Sequence, residues 1–389
     1  MYLKKLQERN KALIDAAIKL HAEGALEANT YVIDVQALRR NAEIIRAEAD
    51  KHGITLYGMT KQIGYNPIAH RTIMEAGIGK FVSVDWLGAR LMREQGVPVG
   101  HVGHLVQAPQ SVAEELVALG PEAFTVFSLR KAASVAEAAA KLGVEQNVLL
   151  RVYKEGDRFY PGHEGGFQLK DVVDAAREIS KLKGVRVIGT TAFPSLLYNE
   201  EAGTVLPTPN FQTAVDAAAR LSKELGIDIR QINTPGSTSS AVIGKIAEHG
   251  GTHAEPGHGL TGSTPISFDT DIPETPAMLY LSEISHEYGG NGHMFGGGLY
   301  VDRVRGRYML SALVGASLDT REVELIPDDG IDYYGYVRGA KEGEPVILGF
   351  RAQIFVTRGQ VAAIDGVQEG KPRVIGYHDA MGRPVQRGV

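Results

Sequence analysis

The chain contains no cysteine. That excludes disulfides, thiolate zinc sites and a cysteine nucleophile, and it fits a reducing, cytoplasmic setting. Neither sign of charge is in excess. The formal net charge is −5 over 389 residues, which argues against nucleic acid as a partner. No apolar run reaches the length of a membrane span. Residues 1–26 carry charges throughout, among them Lys4, Lys5, Glu8, Arg9, Asp15, Lys19 and Glu23, so they read as an amphipathic helix, not a signal peptide. No Gly-x-Gly-x-x-Gly turn follows a strand-like run, which weakens a doubly wound dinucleotide-binding sheet. Internal repeats and low-complexity tracts are absent too. What remains, 43% hydrophobic and 22% charged residues, is ordinary for a soluble enzyme, and the length suggests two domains.

Short β-rich runs alternate with helical stretches through most of the chain. The runs are 31–34, 54–57, 80–84, 102–106, 123–127, 148–152, 185–189 and 229–233, and alanine-rich helices at 132–142 and 214–225 lie between some of them. Such alternation implies a parallel sheet, and roughly eight units in about 240 residues is the size of a TIM barrel. A stretch rich in Pro, Ser, Thr and Asp at 263–276 reads as a linker. Period-two runs follow at 278–284, 307–314, 322–326, 345–348, 353–357 and 373–376, the pattern of a smaller all-β domain. The expected plan is an N-terminal helix over 1–28, a (β/α)8 barrel over 29–270 and a β domain over 271–389.

Three segments carry chemistry. Lys61 follows the run at 54–57, and a lysine at the C-terminal end of a barrel strand points into the mouth where chemistry is done. A partly desolvated amine there can form a Schiff base with a carbonyl cofactor such as pyridoxal phosphate (PLP); the plain alternative is a solvated lysine. The segment 233–240, Asn-Thr-Pro-Gly-Ser-Thr-Ser-Ser, follows a strand and precedes a helix. Gly236 lets backbone N–H groups converge, and Ser237, Thr238 and Ser239 add hydroxyls, which suits a phosphate dianion or a redundant N-cap. In 253–262, Glu255 stands at a strand end, and Gly257, Gly259 and Gly262 permit close backbone approach to a ligand.

In these residues the chain resembles the fold-type III PLP enzymes typified by alanine racemase, from Tyr31 into the C-terminal β domain. Among subfamilies it is most similar to the YhfX-type racemase-like proteins. The resemblance implies a PLP-binding barrel in which Lys61 is the Schiff-base lysine and Tyr65 contacts the cofactor phosphate. The two glycine loops, including Thr261, complete the phosphate site. Arg158, in Gly-Asp-Arg with spacing one residue off the family pattern, is placed near the phenolic oxygen. Phe193 stands where a histidine stacks on the pyridine ring, and Glu255 where alanine racemases carry arginine. That departure matters, because a carboxylate favours a protonated ring nitrogen and so a stabilised carbanion. It also resembles ornithine decarboxylase-like enzymes, although their Cys-Asp-Gly motif has no counterpart here.

The activity implied is an amino-acid racemase that removes and returns the Cα proton, working as a homodimer with shared sites. The alternatives are a PLP-dependent lyase, either a decarboxylase or an enzyme like D-threonine aldolase and D-serine dehydratase, and a non-catalytic PLP homeostasis protein. The C-terminal extension argues against the last. No metal is assigned, since the aldolase-type metal pair reads His378-Asp-Ala380 here, and His286 and His293 form no recognisable site. Racemisation needs a second acid/base on the opposite face of the cofactor. Tyr300, in Gly-Leu-Tyr-Val-Asp, is the expected one, with Tyr288, Tyr334, Tyr336, His286 and His293 as rivals.

Overall fold

Eight short parallel strands of the computed structural model run in the order Thr55–Leu56, His253–Ala254, Gln231–Asn233, Val185–Thr191, Gln146–Tyr153, Ala123–Val126, Val99–Val102, Phe81–Val82. A parallel bridge from Gly58 to Phe81 joins the two ends of that order, so the sheet is a nearly closed TIM-like barrel. The structure describes residues 2–299, 311–315, 319–326 and 333–386. By compactness the chain forms two units, and the barrel is the one made of residues 44–59 and 77–257. Its helices follow from local sequence. Leu129–Leu142 opens on Ser128, whose hydroxyl accepts from Lys131 N–H, and closes on Gly143 in the left-handed conformation. Pro209–Leu225 starts with proline in its first turn and ends on Gly226 in the same way.

The other unit comprises residues 1–43, 60–76 and 258–389. Its sheet runs Asn291–Phe295, Tyr334–Arg338, Arg321–Ile326, Ser311–Val314, Pro345–Leu348, Met278–Tyr288, Thr30–Asp34, Gln360–Asp365, Arg373–Asp379. Asn291–Phe295 also pairs with Met278–Tyr288, which closes the first six strands on themselves. The N-terminal segment forms two helices, Tyr2–Arg9 and Lys11–Ala22, split at buried Asn10. Their Leu3, Leu6, Leu13 and Ile14 pack on Val32, Leu279, Leu281 and Ile347 of the sheet. The linker-like stretch is tied down, since Arg9 Nη1 donates to Ile272 O at 2.7 Å and to Glu274 O at 2.8 Å.

Several expectations change. The run at 31–34 is a strand, Thr30–Asp34, but not a barrel strand. It pairs antiparallel with Met278–Tyr288 and parallel with Gln360–Asp365, so the barrel does not span 29–270. All five residues are buried, and a strand buried on both faces reads alike in either kind of sheet. The strand expected at 102–106 is Val99–Val102, because Gly103 turns the chain with φ +74°. At 353–357 a 3-10 turn, Ile354–Val356, replaces the expected strand. Residues 307–310 lie outside the described residues. Among those described, no helix is long and apolar enough to cross a membrane.

Candidate functional site

Glu255 follows the barrel strand His253–Ala254 and is buried. Two donors hold one of its oxygens: His101 Nδ1 lies 2.8 Å from Oε1, and Asn233 Nδ2 donates to it at 3.0 Å. The other oxygen, Oε2, is 3.6 Å from His104 Nε2. Burial alone would favour the neutral acid. The charge of His104, the hydrogen bond and charge of His101, and the Asn233 amide outweigh it and hold the carboxyl well below the usual carboxylate range. Both histidines reach one carboxylate because of Gly103. Residues three apart on a straight strand face opposite sides, and the left-handed turn at Gly103 lets His104 reach the same carboxylate as His101. A Cβ at Gly103 would stand 2.6 Å from Thr125 O.

Among the described residues, His101, His104 and Glu255 form the one group whose donor atoms, all within 4.8 Å of one another, have the make-up of a metal site. Of these atoms, His101 Nδ1 and Glu255 Oε1 are hydrogen-bonded to each other. His101 Nε2 is 2.6 Å from Thr125 Oγ1, and Thr191 Oγ1 lies between Asn233 Nδ2 at 3.2 Å and His104 Nδ1 at 3.5 Å.

Beside this cluster the Phe193 ring meets His104 edge-on at 5.7 Å and lies within about 6 Å of Tyr160 and His163. Arg151, near the end of Gln146–Tyr153, is buried; its Nη2 donates to Phe193 O at 2.8 Å, and its guanidinium lies over the Phe127 ring. Burial pulls that guanidinium down to about 10, against the charges of Asp157 and Glu255. Its Nε has no hydrogen-bond partner among the described residues. Arg158 is exposed, and its backbone is pinned by Asn210, which accepts from Arg158 N–H at 2.9 Å and donates to its carbonyl at 2.8 Å.

The segment 233–240 runs into the helix Ser240–Glu248. Ser239 is its N-cap, yet its side chain caps nothing. Thr234 Oγ1, Thr238 Oγ1 and Ser239 Oγ are buried with no partner among the described residues. Such hydroxyls are costly unless something else binds them, and a phosphate at a helix N-terminus is a fitting acceptor. Ser237 and Gly236 are partly exposed. A Cβ on Gly236 would stand 2.3 Å from Leu196 O, so the loop approaches the backbone too closely for a side chain.

In the other unit Lys61 begins the 3-10 turn Lys61–Ile63, and its Nζ lies 5.6 Å over the Phe355 ring. Met59 N–H donates to Pro256 O at 2.9 Å, so the chain leaves the barrel for Lys61 beside the strand end that carries Glu255. Tyr65 is buried at φ +48°, edge-on to Phe355. In the loop after Gly257, Thr261 Oγ1 donates to His258 O at 3.2 Å and lies 2.8 Å from Ser263 Oγ. Gly259 is buried, and Gly262, at φ +63°, packs against Thr275 O, 2.3 Å from where its Cβ would be.

His378 Nδ1 accepts from Asn66 Nδ2 at 3.1 Å, and Asp379 Oδ1 accepts from Met381 N–H and Arg383 N–H. Tyr300 lies outside the described residues. Its rivals stand on neighbouring strands, where His286 stacks on His293 at 4.4 Å, flanked by Tyr334 and Tyr336, and Tyr288 is 78% exposed. At the opposite, N-terminal end of the barrel strands, a cavity of about 450 Å³ is lined by Arg46, Asp50, Lys80 and Glu122. Those charges pair with one another.

Residues 33–265 match the family model described as alanine racemase, N-terminal domain. The chain belongs to that family. Residues 279–374 match the YhfX-like, C-terminal domain. The uncharacterised protein YhfX of Escherichia coli (strain K12) is 41% identical over 387 residues, covering 98% of this chain and 99% of that one. The fold is similar to that of D-threonine aldolase from Filomicrobium marinum, with TM-score 0.67 and 14% identity over 92% of this chain and 96% of that one. It is also similar to alanine racemase from Clostridium difficile 630, with TM-score 0.63 and 17% identity over 90% and 98%. At such identities the likeness is one of fold alone. Alanine racemase-like fold-type III proteins typically bind PLP, and they typically act on small molecules as dimers.

Within this alanine racemase-like barrel, sequence reasoning missed four residues: His101, His104, Asn233 and Arg151. The spacing His101-Val-Gly-His104 across a strand end was the available signal, as was a lone arginine late in an apolar strand.

Proposed function

We propose that the protein is a PLP-dependent amino-acid racemase. The observation that carries this reading is Glu255, a buried carboxylate held ionised by donors on one oxygen. Bound PLP would supply an electron sink for the charge left when an amino acid loses its Cα proton. The residues present fit it. Lys61 Nζ would hold the aldehyde carbon, and the unpartnered hydroxyls of Thr238 and Ser239, with Gly236, Ser237 and Tyr65, would hold the phosphate. Gly257, Gly259, Thr261 and Gly262 would approach it through backbone alone, since the Thr261 hydroxyl is bonded within its own loop. Phe193 would lie against the ring, and Arg158 would reach its phenolic oxygen.

Each residue then has a chemical task. Glu255 would keep a proton on the ring nitrogen, which would strengthen the sink before any charge develops. Lys61 takes or returns the Cα proton on one face, and Tyr300 of a second subunit does so on the other. Phe193, Tyr160 and His163 form an aromatic group near the cluster, and water excluded by such side chains cannot quench the charge.

The test is Cα proton–deuterium exchange in D₂O over a panel of amino acids, following chirality, CO₂ and aldehyde together. Exchange with inversion is expected, and borohydride should fix PLP on Lys61 and not in Lys61→Ala. Release of CO₂ or aldehyde in place of inversion would make the protein a lyase. PLP fixed by borohydride in Lys61→Ala would overturn the lysine assignment.

A further inference from the structure

His101 is fully buried between two partners, with Nδ1 at 2.8 Å from Glu255 Oε1 and Nε2 at 2.6 Å from Thr125 Oγ1. An ionised carboxylate only accepts, so the Nδ1 contact fixes His101 as a donor on that side. The Thr125 hydroxyl lies against the other nitrogen, so the ring is bonded at both ends. Glu255 Oε1 thereby receives two donors, from His101 and Asn233. Among the described residues Oε2 has no hydrogen bond as short; His104 Nε2 is 3.6 Å away.

We propose that His101 is a positioning residue, which with Thr125 locks Glu255 so that Oε1 is occupied and Oε2 is left to accept the N–H of a heteroaromatic ring nitrogen. The inference rests on the PLP reading above and deepens it. Losing His101 leaves Asn233 as the sole close donor on a buried charge, and a buried carboxylate short of donors takes up a proton. A protonated Glu255 can no longer hold the ring nitrogen protonated.

Two readouts separate this inference from the PLP reading. The first needs no cofactor: the carboxyl signal of Glu255 in ¹³C-glutamate-labelled apoprotein, assigned with Glu255→Gln. His101→Leu should titrate at higher pH than wild type. His101→Asn should stay close to wild type, because the Asn amide can replace the Nδ1 donor. The second uses PLP labelled with ¹⁵N in the ring. The wild type and His101→Asn should show a protonated ring nitrogen, and His101→Leu an unprotonated one with about ten-fold weaker PLP binding or more. Thr125→Val should shift both readouts in the direction of His101→Leu, by less.

If wild type binds no PLP, the PLP reading fails while the apoprotein titration still decides the role of His101. If PLP binds and His101→Leu matches wild type in both readouts, the positioning role is overturned. A His101→Asn variant as impaired as His101→Leu would overturn it as well, since donor replacement should rescue. Should His101→Leu not fold, His101→Asn and Thr125→Val carry the same comparison.

Discussion

Two glycine loops follow the last two barrel strands, and on sequence they look alike. The first has one glycine and the second three, and each adds hydroxyl side chains near them. In the structure glycine does not distinguish them, because Gly236 and Gly262 both stand where a Cβ would meet backbone at 2.3 Å. The hydroxyls do. In 233–240 those of Thr234, Thr238 and Ser239 are buried without partners among the described residues, whereas Thr261 in the second loop is bonded to His258 O and Ser263 Oγ. A side chain satisfied within its own loop serves the fold, and buried hydroxyls left waiting serve a ligand.

Substitutions can break that contrast. The largest effect is expected from Gly262→Ala, which adds a side chain at φ +63° against Thr275. It should lower stability in denaturant by about 3 kcal/mol or more; a smaller loss would mean that the loop yields easily. The double variant Thr238→Val/Ser239→Ala should weaken PLP binding roughly 10²-fold with melting temperature unchanged or raised. A stability loss with full affinity would assign the first loop to the fold instead. The smallest effect is expected from Thr261→Val, about 1 kcal/mol of stability for its lost hydrogen bonds. Its PLP affinity should match wild type, and a drop there would give both loops the same task.

The barrel was legible because its strands are short, apolar and regularly spaced, so 123–127, 148–152 and 185–189 emerge within a residue or two of Ala123–Val126, Gln146–Tyr153 and Val185–Thr191. Thr30–Asp34 was recognisable as a strand but not as a member of its sheet, since pairing with Met278–Tyr288 and Gln360–Asp365 leaves no local trace. Glu255 drew notice through its place in a motif. His101 and His104 did not, because their three-residue spacing puts them on opposite faces of a straight strand, and only the positive φ of Gly103 brings both to one carboxylate. Arg151 was hidden for the opposite reason: it sits in a run so apolar that its charge reads as an interruption.

The pairing of Thr30–Asp34 also bears on how the chain is made. Tyr31 pairs with Tyr280 on one side and with Val361 on the other. On a ribosome adding about 5–20 residues per second, the strand therefore waits on the order of half a minute for its second neighbour. Throughout that interval five apolar-rich residues, all buried in the finished sheet, present backbone groups that any extended segment can pair with. The strand is made early and completed late, so its edges stay open to stray pairing through most of synthesis.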